Sequence, residues 1–203
     1  MVISTKELLK QYSNYSVPKM KIKREVDKGS FYVVKKGLYE TDRTTPGYLL
    51  SQYIKSPSYL SFEYALSIYG IIPERVVEFS CATTNQKHSF VFTNQFGRYS
   101  YRDIPNTVFY LEINYKEESG YSYLIASKEK AICDYLYILS PTYSKKKLYS
   151  LLFESLRFDI DEFTKLNFDT MIELSKMYKT TNHKYFIKLL EDFKNGKHYT
   201  KKN

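Results

Sequence analysis

From Ile3 to Tyr39 the chain sets short apolar groups among basic ones, first at helical and then at strand spacing. Ser4-Thr5-Lys6-Glu7 has the form of a capping box, in which the Ser4 hydroxyl and the Glu7 carboxylate each meet an orphan N–H. Ile3 and Leu8 are spaced as a hydrophobic staple beside it. A helix to about Tyr12 would bury Leu8, Leu9 and Tyr12. After a short linker from Ser13 to Val17, Pro18 suits the first turn of a second helix, and Gly29 suits its end. On a helical wheel of about 100° per residue, Ile22 and Val26 share one side, and Lys21, Arg24 and Lys28 fall roughly opposite. The Ile22/Val26 side is the natural partner of the first helix. Phe31 to Val34 then reads as a strand, Lys35-Lys36-Gly37 as a turn, and Leu38 to Glu40 as a returning strand.

Further along, Thr45-Pro46 opens a helical stretch with Leu49, Leu50, Tyr53 and Ile54 on one side, ended by Pro57. Another begins near Ser61, with Phe62, Ala65, Leu66 and Tyr69 at helical spacing, and closes at Gly70 and Pro73. These two are expected to cover the first unit and join it to the rest. From Val76 to Ile125 the period becomes two. Val77, Phe79 and Cys81 alternate with polar residues, as do Tyr99 and Tyr101, and Phe109, Leu111 and Ile113. Asn94 to Gly97 and Glu117 to Gly120 read as turns. This predicts a mostly antiparallel sheet of four or five strands with one face buried. The remainder is helical. One helix is capped by Ser127 and ended by Pro141, one lies near Lys145 to Phe153, one near Phe168 to Tyr178, and one starts at about Asn182. Gly196 to Asn203 reads as a frayed tail. The fold class is α+β, with an N-terminal unit over 1–60 and a C-terminal α+β domain over 61–203. The boundary falls between residues 45 and 75.

Charge sharpens the first unit. The 203 residues carry 31 Lys and Arg against 22 Asp and Glu, a net charge of +9 that favours polyanions. Residues 1–43 hold 10 basic and 5 acidic side chains, residues 44–126 hold 6 and 7, and residues 127–203 hold 15 and 10. Both ends are positive around a neutral middle. A short helix with a cationic side fits the DNA major groove, and a ribbon with two lysines at its tip can reach a flanking phosphate. Together these are the parts of a winged helix-turn-helix, in reduced form because the linker leaves little room for three full helices. The lysine-rich composition alone would explain a solvated helix face. The ordered succession of basic helix, ribbon and basic tip favours DNA.

Catalytic chemistry finds little support. His88, His183 and His198 are isolated and read as surface or partly packed side chains. Cys81 and Cys133 read as small core residues. The seven glycines form no phosphate loop, and Asp159/Asp161 lack a third partner. Asp192-Phe193-Lys194 has the spacing of a nuclease motif but falls in the last helix rather than on a strand. No catalytic residue, cofactor or metal site is expected. Lys145-Lys146-Lys147 reads as a solvated helix start, or as an auxiliary phosphate contact. Two distant cysteines give no disulfide framework and point to a reducing cytosol. The opening MVISTKELLKQY lacks an apolar core of the kind a secretory leader has, and no apolar run approaches a membrane span.

Four stretches, KKGLYETD (35–42), YLSFEYALSIYGIIPE (59–74), FGRYSYRDIP (96–105) and IASKEKAICDYLYIL (125–139), resemble in order and spacing the AbiEi-type antitoxins of type IV toxin–antitoxin systems, linked to abortive phage infection. The resemblance spans nearly the whole chain and is clearest over 17–139. Lys128 departs from it, standing where such proteins often have proline. The resemblance implies a cytoplasmic autorepressor that binds inverted repeats in its own promoter through the winged helix. It also implies a C-terminal domain that counters a nucleotidyltransferase-like toxin without stable contact. The DNA role carries over to Lys19, Lys21, Lys23, Arg24, Lys28, Lys35 and Lys36, with Lys21 and Arg24 toward bases and the others toward phosphates. A second expectation is a protein-interaction module that neutralises its partner by direct contact through the C-terminal domain. An enzyme acting on nucleic acid or nucleotides ranks below both.

Overall fold

The computed structural model describes residues 1–86 and 88–196, so His198 and all but the first residue of the expected tail lie outside the described residues. The N-terminal unit runs β1 (Val2–Ser4), α1 (Thr5–Gln11), α2 (Pro18–Asp27), β2 (Tyr32–Lys35) and β3 (Leu38–Glu40). The capping box forms as its sequence dictates: the Ser4 hydroxyl accepts from the Glu7 N–H, and the Glu7 carboxylate accepts from the Ser4 N–H at 2.8 Å. Pro18 occupies the start of α2, and Gly29 leaves it with φ +77°, a left-handed turn that glycine adopts without strain. Leu8, Ile22 and Phe31 form a small core against which Ile3, Leu9, Tyr12, Val26 and Tyr39 pack. The strands make an antiparallel sheet in the order β1-β3-β2. β1 has no counterpart in the sequence reading, because three residues are too few for period two to register.

The chain then makes a 3-10 turn (Gly47–Leu50) and α3 (Ser51–Ile54), where Leu49, Leu50 and Ile54 are buried. β4 (Ser58–Leu60) follows, and then α4 (Phe62–Ile68). β4 lies inside the larger sheet and α4 packs on it and on α6 (Lys128–Ile138). α4 is therefore part of the large core rather than a cover for the first unit. The chain enters the larger unit before residue 60.

The larger sheet has six strands: β5 (Phe79–Thr83), β6 (Phe90–Asn94), β7 (Gly97–Asp103), β8 (Ile113–Glu118), β9 (Tyr121–Ala126) and β4, ordered β6-β7-β5-β4-β9-β8. It is mixed, not mostly antiparallel: β5/β7 and β4/β9 pair in parallel, and the other three neighbours are antiparallel. Both hairpins fall where turns were expected. Ser119 and Gly120 close the second with φ of +52° and +78°, the conformation that a two-residue hairpin demands. The central strands are buried on both faces, not one. Tyr99 and Tyr101 point at the Gly47–Ile54 segment, donating to the carbonyls of Gly47 at 2.9 Å and Ser51 at 2.6 Å. On the other face Ser80 accepts from the Tyr64 N–H of α4. The strand expected through Phe109 does not form. α5 (Asn106–Phe109) buries Val108 and Phe109, Tyr110 faces solvent, and Glu112 turns the chain at φ +52° before β8. Val77 is likewise exposed, ahead of β5.

α7 (Lys145–Ser150), a π-helical turn (Leu151–Ser155), α8 (Ile160–Thr164), α9 (Phe168–Tyr178) and α10 (Thr181–Lys194) complete the domain. Phe153, Phe163, Phe168, Phe186 and Phe193 interlock among them. Asp159 caps α8 by accepting from the Glu162 N–H at 2.9 Å, the use its carboxylate finds here. In the nuclease-like spacing, Asp192 pairs with Lys145 and Lys194 with Asp169. No helix among the described residues is long and apolar enough to cross a membrane.

Candidate nucleic-acid interface

α2 owes its orientation to Ile22, 4% exposed, and to the half-buried Val26, both turned to the small core. Lys19, Lys23, Arg24 and Lys28 are exposed with the rest of the chain in place, and none forms an ion pair among the described residues. Asp27 is an acidic side chain among them. Asp27 offsets part of their charge, but none of the four is ion-paired among the described residues, and the remaining field projects into solvent, where a polyanion would meet it.

Lys21 is different, and its place departs from the wheel. Its ammonium donates to Glu25 at 2.6 Å and stands over the rings of Tyr12 and Tyr15, 5.7 and 5.2 Å from their centroids. The cause is the aromatic pair at the α1–α2 corner, which offers both ring faces to a cation one helical turn from its carboxylate. Glu25 also accepts from Ser30 at 2.9 Å, and the hydrogen bond from Lys21 followed by that from Ser30 holds its carboxyl below the usual range. Lys21 thus braces the angle between the two helices.

The ribbon tip is also divided. Gly37 takes φ +87° and its carbonyl accepts from Thr5 N at 2.8 Å, so the turn is tied to the first turn of α1. Lys35 donates to the Ile54 carbonyl at 3.0 Å, at the end of α3. Lys36 alone of the tip pair is exposed.

The unit is anchored on the larger domain by groups from both. Val34 enters the main core, and the Asn94 side chain donates to the Val34 carbonyl at 2.8 Å. Glu40, fully buried at the end of β3, accepts from the Tyr121 hydroxyl at 2.6 Å and from the N–H of Thr41 at 2.8 Å. Burial pushes the Glu40 carboxyl up. The Met1 ammonium, Tyr121 and the Asp42 N–H outweigh it and leave the group below its ordinary value.

A second polar cluster lies on α6, inside the main core. Lys130 and Asp134, one turn apart on α6, are both completely buried and 2.9 Å apart. Tyr59 and Ser61 donate to Asp134 at 2.9 and 2.7 Å, and Tyr178 joins both charged groups. His183 lies parallel to the Tyr178 ring at 4.5 Å, and its Nε2 meets the Cys133 carbonyl at 3.1 Å. A carbonyl only accepts, so Nε2 carries the proton. His183 is therefore fully buried rather than a surface or partly packed side chain. A Lys and an Asp at i,i+4 on a helix apolar all round was the available signal. These groups satisfy one another and join β4, α6, α9 and α10.

The remaining candidates sit as follows. Cys81 and Cys133 are buried free thiols, and burial pushes Cys133 up to about 12. His88 is exposed. Lys145 pairs with Asp192, and Lys146 and Lys147 stand exposed in the first turn of α7 after the Ser144 cap. Among the described residues no three His, Cys, Asp or Glu side chains converge as metal ligands would. Compared with known proteins, the chain matches no family model and no curated protein.

Proposed function

We propose that this chain is a DNA-binding autorepressor and antitoxin of the AbiEi type, reading promoter inverted repeats through a reduced winged helix-turn-helix at residues 1–43. The supporting observation is the exposed, unpaired set Lys19, Lys23, Arg24 and Lys28 on a helix fixed by its own small core and followed directly by the β2–β3 hairpin of a three-stranded sheet. Arg24 is the side chain of choice for base edges, since its planar fork matches guanine acceptors. Lys19, Lys23, Lys28 and Lys36 serve phosphates. Lys21 and Lys35, engaged within the protein, set the helix and the ribbon in position. The C-terminal domain opposes a nucleotidyltransferase-like toxin in the cytoplasm without a stable complex.

The test is an electrophoretic shift on the DNA upstream of the gene. Arg24→Glu/Lys28→Glu should abolish the shift. Wild-type affinity should fall steeply with salt, with a log–log slope of roughly −3 to −4 per bound copy for the four phosphate-facing lysines. An unchanged shift in the charge-reversed protein would refute the assignment. Lys21→Met, by contrast, should weaken binding without flattening the salt slope.

A further inference from the structure

We infer a second anion site, a groove between α9 and α10 that takes a chain of phosphate groups. It is an open groove of about 470 Å³, lined by Lys176 and Lys179 at the end of α9 and by Thr181, Lys184, Ile187 and Lys188 on α10. That volume is within the range of ligand sites, about 300–1,000 Å³. All four lysines are exposed and none is ion-paired among the described residues. Glu191 is the acidic residue of the lining, at the end of the groove away from the start of α10.

The placement of two of these cations, Lys184 and Lys188, is hard to explain by stability. Lys176 and Lys179 suit the negative end of α9. Lys184 does not suit its place, because the start of α10 is already the positive end of a 14-residue helix, and its first turn carries no acidic residue. Lys184 and Lys188 are one turn apart, about 6 Å along the axis, and like charges at that spacing repel. Four lysines and a helix N-terminus thus crowd positive potential into one cleft, and no protein carboxylate except Glu191 is there to relieve it. Bound phosphates would relieve it at every one of these groups. The lining holds no aromatic ring on which a base could stack, so recognition rests on phosphates and not on bases. The chemistry is shared by a single-stranded nucleic-acid backbone and by a free polyphosphate. This inference does not depend on the DNA reading of α2.

The experiment uses the full chain with two probes, a labelled short single-stranded RNA followed by anisotropy, and inorganic tripolyphosphate followed by calorimetry. Lys184→Glu/Lys188→Glu should weaken binding at least about tenfold per lost charge-assisted contact. Lys184→Arg/Lys188→Arg should retain it, and Arg75→Glu/Lys116→Glu, the same charge change at exposed positions outside the groove, should leave it intact. Binding of the RNA alone identifies a nucleic-acid strand as the source, and binding of tripolyphosphate alone a free polyphosphate. Equal binding by the Lys184→Glu/Lys188→Glu protein, an equal loss in the Arg75→Glu/Lys116→Glu protein, or no binding of either probe overturns the site. Should the double glutamate variant fail to fold, amine labelling of the wild-type chain decides. Protection of Lys176, Lys179, Lys184 and Lys188 by the probe supports the groove, and unselective or absent protection overturns it.

Discussion

His183 shows how much one side chain owes to its surroundings. In sequence it is an isolated histidine. In the fold it is sealed between the Tyr178 ring, the Cys133 carbonyl and the Thr180 hydroxyl, with the Lys130 ammonium nearby. Burial, with a smaller push from Lys130, outweighs the bond to Cys133 and lowers it from 6.5 to about 4. Above pH 6.5 the imidazole is neutral folded or unfolded. Between 6.5 and about 4 the unfolded chain binds a proton that the folded one refuses, so stability falls as the pH falls. The full effect is about 3 kcal/mol. In denaturant melts across this window, His183→Gln should lose that part of the slope, since glutamine does not titrate. Identical slopes in the two proteins would assign the acid sensitivity elsewhere. At the same scale, the basic residues of α2 read alike in sequence, but the structure sets Lys21 apart from Lys19, Lys23, Arg24 and Lys28. The difference arises from Tyr12 and Tyr15, which lie at the end of α1 and in the linker after it and offer ring faces that a wheel cannot include.

Elements with local instructions follow them. The capping box starts α1, Pro18 starts α2, the Ser127 hydroxyl starts α6 by accepting from the Lys130 N–H, and glycines with positive φ end α2 and α4. Elements that depend on distant neighbours were harder to see. β4 falls in the gap between two expected helices, since three residues are too few to show a period, and all three are buried. The Phe109 segment alternates like a strand, yet α5 forms because burying Val108 and Phe109 together is better served by a helical turn. α6 carries the clearest consequence. Asp134→Ala leaves the Lys130 cation buried without its partner and should cost about 3–5 kcal/mol. Lys130→Met/Asp134→Leu, which removes both charges and keeps the volume, should be markedly more stable than Asp134→Ala. If chemical denaturation finds Asp134→Ala close to wild type, the pair does not hold α6 to β4 and α9.

Across the whole molecule, two hydrophobic clusters are joined by an apolar contact, Val34 with Val2 and Leu38 against the main core, and by a few polar ties. The small cluster carries α2, and Val34, Glu40 and the side chains of Asn94 and Tyr121 attach it to the larger one. Tyr121→Phe removes a donor from a buried carboxylate, a loss of roughly 1.5–3 kcal/mol for a hydrogen bond to a charged group. Its effect should be local. Amide exchange should quicken over β1 to β3 more than over α6 and α9, and promoter affinity should fall as α2 loses its fixed position. Uniform acceleration through both units would mean that they unfold together and that the tie is not a joint between them.

What the chain determined by itself is whatever rests on neighbours within about one helical turn or one hairpin: caps, turns, the apolar side of α2 and its surplus of cations. Contacts of that range are encoded in spacing, so they can be read without coordinates. Tertiary structure alone decided the six-stranded mixed sheet, the sealing of Lys130, Asp134 and His183, and which cations remain free to meet a ligand. Those outcomes depend on residues far apart in sequence, brought together by burial of the main core, and no local pattern records which distant partner a side chain will find.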